Sequence, residues 1–104
     1  MKVIWLPQAK KQLRQTAVYI RGEFGARHRD EFMEDVLHAS RLLGENPYMG
    51  KEEPLLADLH TAYRSLVVNH LNKIVYFIND DHIEVAAFWD VRREPKALAE
   101  EIKE

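Results

Sequence analysis

Tyr63-Arg64-Ser65-Leu66-Val67-Val68, Ile74-Val75-Tyr76-Phe77-Ile78 and Ile83-Glu84-Val85-Ala86-Ala87-Phe88 follow one another closely and run into Trp89-Asp90-Val91-Arg92-Arg93-Glu94-Pro95. Each run is rich in β-branched and aromatic residues and is bounded by polar turn residues, which predicts three strands, at about 61–68, 73–79 and 83–89. The links Asn69-His70-Leu71-Asn72 and Asp80-Asp81-His82 are too short for a crossover, so consecutive strands should pair antiparallel. The last run is apolar at both parities, as expected of a strand that is central or covered on both faces.

Upstream, Val3-Ile4-Trp5-Leu6 reads as a first strand that Pro7 ends, because proline cannot donate to a continuing ladder. From Gln8, the residues Ala9, Leu13, Ala17 (or Thr16), Ile20 and Phe24 recur at three- and four-residue spacing, with Lys10, Lys11, Arg14 and Arg21 elsewhere around the turn. That is an amphipathic helix stopping near Gly25. Phe32, Val36, Ala39 and Leu43 mark the buried stripe of a second helix over about 26–43, closed by Gly44 and Asn46-Pro47. The short link makes the pair an antiparallel hairpin. Asn46-Pro47-Tyr48-Met49-Gly50 is turn chemistry, and Lys51-Glu52-Glu53-Pro54 extends the irregular connection. Ala97, Leu98 and Ile102 give a short C-terminal helix one apolar edge. The expected order is β-α-α-β-β-β-α, an α+β domain over 1–104 with the hairpin packed on one face of a small, mainly antiparallel sheet.

Composition narrows the function. A chain of 104 residues, 46% hydrophobic and 31% charged, can bury the core of one domain. No apolar run has the length of a membrane span, and Pro7 interrupts any signal-like start, so a cytoplasmic protein is expected. With no cysteine, disulfides, thiolate nucleophiles and cysteine metal sites are excluded. The net charge of −2 gives no global basic excess. Residues 1–59 carry nine basic and nine acidic side chains and 60–104 six and eight, so strong nucleic-acid binding by the isolated chain is not expected, and any contact must come from a local cluster. His28, His38, His60, His70 and His82 show no metal-ligand spacing, and the four glycines are scattered, so neither a metal nor a nucleotide cofactor is expected. Trp5 and Trp89 read as core packing rather than base-stacking platforms.

Several segments, taken in order, resemble the RelE/ParE superfamily of toxins. They are the opening strand with Trp5 and Pro7; Tyr19-Ile20 with Phe24-Gly25; Phe32; Leu43 with Asn46-Pro47 and Gly50; Tyr63-Arg64-Ser65-Leu66-Val67-Val68; Ile74-Val75-Tyr76-Phe77-Ile78; and Arg92-Arg93-Glu94-Pro95. The Asn-Pro-Xaa-Xaa-Gly turn and terminal Arg-Arg-Xaa-Pro look more like the ParE, or plasmid-stabilisation, branch than the RelE branch. The resemblance implies a growth-inhibiting type II toxin neutralised by a cognate antitoxin. ParE-like members are associated with inhibition of DNA gyrase, whereas RelE-like members cleave mRNA on the ribosome.

Metal-free RNA cleavage needs a base for the 2′-hydroxyl, a cation for the phosphate and an acid for the leaving oxygen. Arg64 matches the superfamily's strand arginine, and its planar fork suits phosphate; Arg92 and Arg93 would do the same or bind an acidic partner surface. Asp90 and Glu94 are the candidate bases, yet carboxylates between arginines are commonly ion-pair partners. His70 and His82 fall at turns away from Arg92, and no tyrosine follows Tyr76. The expectation is therefore a binding protein whose contact residues are Arg64, Arg92 and Arg93, with a metal-independent nuclease or a non-toxic protein of the same fold as alternatives.

Overall fold

The computed structural model describes residues 1–102. Strand β1 (Lys2–Trp5) leads directly into α1 (Pro7–Phe24). Pro7 does end the strand, but it also opens the helix, since a first-turn N–H has no intrahelical partner to lose. Gly25, with φ of 93°, is the whole link to α2 (Ala26–Glu45): its N–H caps Arg21 and its carbonyl accepts from Arg29. A single residue can reverse the chain this way because glycine tolerates positive φ.

The sheet has the order β1-β5-β4-β3-β2, where β2 is Lys51–Glu52, β3 Arg64–Val68, β4 Asn72–Asn79 and β5 His82–Asp90. β1 runs parallel to β5 and every other pairing is antiparallel. β2 lies in the stretch read from sequence as irregular. Its two residues pair with Arg64 and Ser65, a match too short to leave a periodic signal. The strand expected over about 61–68 begins at Arg64 instead, and α2 continues through Gly44 to Glu45.

A bulge explains the double parity of β5. Val75 faces Ala87 but Tyr76 faces Val85, leaving Ala86 as the extra residue. Before it, Ile83 and Val85 point to the helical hairpin; beyond it, Phe88 does so, while Ala87 and Trp89 point the other way. The helix-side core joins Ala9, Phe32, Val36 and Leu43 to Ile74, Tyr76, Ile83, Val85 and Phe88. On the opposite face, Val75, Ala87 and Trp89 lie under Leu56, Tyr63, Leu98 and Ile102, supplied by a short 3-10 turn (Pro54–Leu56) and α3 (Pro95–Glu101). Both tryptophans pack in the interior: Trp89 is 1% exposed, and Trp5 is partly buried against Phe88. No helix among the described residues is long and apolar enough to cross a membrane.

Two polar contacts fix the route from one face to the other. The Tyr76 hydroxyl donates to Pro47 O (2.8 Å) and accepts from Gly50 N–H (3.0 Å), pinning the 46–50 turn to the middle of β4. A Cβ on Gly50 would stand 2.6 Å from that hydroxyl and 2.7 Å from Ser65 O, so the approach requires glycine. Just downstream, Glu53 is 3% exposed and its carboxylate accepts from Lys73 Nζ at 2.7 Å. Burial opposes the charged Glu53, but hydrogen bonds from Lys73, Ser65 and the Leu55 N–H, with the Lys73 charge, outweigh it and hold the pKa below its usual 4.5.

Gly50→Ala should therefore destabilise the fold by about 2–3 kcal/mol through overpacking, and Tyr76→Phe by about 2 kcal/mol through orphaned backbone groups; denaturant unfolding measures both. Because the folded-state pKa of Glu53 is depressed, its contribution is complete above pH 4.5 and is lost as pH falls through the folded value. Glu53→Gln should cost about 3 kcal/mol at pH 7 and flatten the acid limb of the stability curve.

Candidate functional site

The bulge and the register decide which charged residues can meet. Arg64 stands at the start of β3 opposite Tyr76, whereas Asp90 ends β5 opposite Asn72, which in turn faces Val68 at the other end of β3. Four residues along the strand and two strands across separate the two backbones by about 16 Å. The Arg64 head is also engaged locally. Its Nη1 donates to Gly50 O at 2.7 Å, and the guanidinium lies 5.0 Å from the Tyr48 ring centroid. The structure thus ties Arg64 to the 46–50 turn and does not bring it to the arginine pair.

Asp90 and Arg92 form a closed unit. Asp90 Oδ1 accepts from the Arg92 N–H (2.9 Å) and Nε (3.0 Å), and Oδ2 accepts from Nη2 (2.8 Å). The hydrogen bonds from the Arg92 side chain lead the causes that hold the Asp90 pKa below its ordinary 3.8, despite partial burial. A general base works best near the operating pH, so this carboxylate is poorly matched to abstracting a hydroxyl proton. Arg93 stacks 4.1 Å from the Trp89 ring centroid and reaches Glu101 Oε1 at 3.3 Å. Glu94 caps the first turn of α3 by accepting from Lys96 N–H at 3.4 Å.

The two histidines read from sequence as lying away from Arg92 are at opposite ends of the sheet: only His82 is distant, whereas the turn carrying His70 borders the Arg92 end, with Leu71 O accepting from the Val91 N–H at 2.9 Å. His70 lies exposed in the β3–β4 turn with φ of 71°. His82 opens β5 opposite Asn79, about 26 Å along the strand from Asp90. It is only partly exposed and sits between Asp81 (3.3 Å) and Glu84 (3.1 Å), whose hydrogen bonds and charges raise its pKa, Asp81 foremost. Among the described residues no three His, Asp or Glu side chains come together in a way that would hold a metal ion.

The arginine pair does line an open groove of about 500 Å³ between the C-terminal half of α1 and the β3–β4 turn. Tyr19, Phe24 and Leu71 on its walls are 59%, 60% and 44% exposed, a concentration of apolar surface at one mouth. At its base Gln12, 8% exposed, joins three elements: Oε1 accepts from Phe88 N–H (2.9 Å) on the part of β5 that extends past β1, and Nε2 donates to Glu101 (2.7 Å) on α3. Sequence reading passed over Gln12, although its place one residue before Leu13 and three after Ala9 puts it on the apolar stripe. Lys73 and Glu53 were likewise missed, since their pairing joins positions twenty residues apart.

Helical hairpin, five-stranded sheet and C-terminal cover define the RelE/ParE toxin fold. The solved structure described as the chromosomal ParDE toxin–antitoxin system from P. aeruginosa superposes with a TM-score of 0.73 at 14% identity, covering 88% of this chain and 97% of that one. The YoeB dimer from Staphylococcus aureus matches with a TM-score of 0.58 at 22% identity, covering 85% and 93%. No curated protein sequence matches significantly. The family described as the ParE toxin of the type II toxin–antitoxin system, parDE, matches residues 3–95. The chain belongs to the ParE toxin family.

A carboxyl-resolved NMR titration should place the Asp90 midpoint below 3.8. A midpoint near neutrality would return Asp90 to the list of possible bases.

Proposed function

We propose that this chain is a ParE-like toxin that arrests growth by binding its target, DNA gyrase, without breaking bonds, and that a cognate antitoxin neutralises it in the cytoplasm. The observation that carries the reading is the bidentate closure by Arg92 of Asp90, the carboxylate that ends β5. Arg64 is engaged with Gly50 O and the Tyr48 ring and so does not converge on that end of the sheet. Family membership supports the toxin assignment, and similarity to the solved chromosomal ParDE toxin–antitoxin system supports a paired antitoxin.

On this reading Arg92 and Arg93 act as contact residues at the rim of the groove, where Tyr19, Phe24 and Leu71 present the apolar area that a protein partner would cover. Arg64 contributes indirectly, by holding the turn that shapes the neighbouring surface. A role in plasmid stabilisation would follow from the same toxin–antitoxin pairing.

Purified chain should inhibit gyrase supercoiling and leave mRNA intact in a translating extract. Reversing the groove charges with Arg92→Glu and Arg93→Glu should weaken that inhibition at least tenfold. Codon-positioned mRNA cuts by the unaltered chain, with supercoiling unaffected, would instead establish the RelE-like ribosome-dependent endonuclease, and neither effect together with normal growth on expression would establish a non-toxic binding protein.

A further inference from the structure

Where β5 extends past β1, a side chain takes the place of a neighbouring strand. The Leu6 N–H donates to Val85 O (3.0 Å) where the β1 pairing ends, and β5 runs on to Asp90. The Phe88 N–H on this stretch donates to Gln12 Oε1 at 2.9 Å, and Gln12 is 8% exposed. A buried backbone donor needs a partner, so this half of the Gln12 amide serves the fold.

The other half leads elsewhere. Gln12 Nε2 donates to Glu101 Oε2 at 2.7 Å, and Oε1 of the same carboxylate accepts from Arg93 Nη1 at 3.3 Å. Gln12 belongs to α1 on one face of the sheet and Glu101 to α3 on the other, while Arg93 lies just past the end of β5. The carboxylate is therefore held from α1 and in turn holds the arginine. A second restraint acts on Arg93: its guanidinium lies 4.1 Å from the ring centroid of Trp89, which is fixed in the interior.

The two arginines at the groove differ in consequence. Arg92 is closed on both oxygens of Asp90 through Nε and Nη2, so its charge is answered by its own neighbour. The Arg93 contact to Glu101 is longer, and its side chain is 48% exposed. A pair this open adds little stability. Its effect is on direction: a long cation already set at the groove rim has less freedom to lose when a partner arrives.

We propose that Gln12 and Glu101 are positioning residues for Arg93, clasping α1 to α3 around the edge of β5 and aiming the guanidinium at the groove where the target docks. The inference rests on the reading of that groove as the target surface. Arg93 is the contact, and Gln12, at the base of the groove, acts through Glu101.

Gln12→Glu separates the two halves of the amide, because a carboxylate still accepts from the Phe88 N–H but repels Glu101. Adding Glu101→Gln to it reverses the polarity of the clasp and restores it, with an amide oxygen left for Arg93. Glu101→Ala, in the last turn of α3, opens the clasp without touching the Phe88 bond. Each full-length variant is measured beside the unaltered chain in two ways: NMR shifts of the Arg93 side-chain protons, which the Trp89 ring displaces upfield, and the concentration that half-inhibits gyrase supercoiling. Gln12→Glu and Glu101→Ala should each move the Arg93 shifts toward those of free arginine and raise the half-inhibitory concentration about five- to tenfold. The double variant should recover the upfield shifts and inhibit within about threefold of the unaltered chain. A purely structural Gln12 gives a different pattern, with a lowered urea midpoint for Gln12→Glu, unmoved Arg93 shifts and no rescue by the second substitution; that pattern overturns the proposal. If the unaltered chain leaves gyrase active, the target assignment falls instead, and loss and recovery of the Arg93 shifts still decide for or against the clasp.

Discussion

One hydroxyl organises the path of this chain. Tyr76 is fully buried at the centre of the sheet, and its oxygen is the point where the 46–50 turn is fastened, through Pro47 and Gly50. Burial raises the Tyr76 pKa, with the Gly50 N–H and the Arg64 charge acting the other way, so the phenol remains the neutral donor that Pro47 needs. Gly50 then offers its own carbonyl to Arg64, and the next two residues pair as β2. From that edge the chain crosses to the second face, where the Glu53–Lys73 pair anchors the 3-10 turn and α3 closes over Trp89. A sheet covered on both sides, in a chain this short, depends on that fastening holding.

The same contacts redistribute function among the charged residues. Arg64 stabilises a turn; Asp90 neutralises Arg92; Arg93 lies on Trp89 and meets Glu101, which also receives Gln12. Most charges at the strand ends are thus committed to each other or to the backbone.

Much of the fold was legible. The spacing of Ala9, Leu13 and Ile20, the stop at Gly25 and the three strand-forming runs follow from side-chain period and turn chemistry. What was hidden has a common physical origin in contacts between distant positions. The bulge at Ala86 appears in sequence only as apolar residues at both parities; the register with Val75 and Tyr76 is needed to see why. β2 forms because Tyr76 and Arg64 hold its start, not from the propensity of Lys51-Glu52. For the site, the expectation that His82 lies away from Arg92 matches the strand register, but the same expectation for His70 does not, because Asn72 pairs with Asp90 and brings the β3–β4 turn to the Arg92 end of the sheet; separation of Arg64 from Arg92 depended on where each strand begins. The role of Gln12 leaves no sequence signal of its own, because it depends on β5 extending past β1 and leaving the Phe88 N–H to be met.

Arg64, the strand arginine of the family signature, is committed to the 46–50 turn through Gly50 O and Tyr48. Urea unfolding of Arg64→Ala measures this most directly. A charged hydrogen bond to Gly50 O and stacking on Tyr48 predict a loss of about 2–3 kcal/mol with the denaturant slope unchanged. Stability equal to that of the parent chain, accompanied by loss of the inhibitory activity, would contradict it.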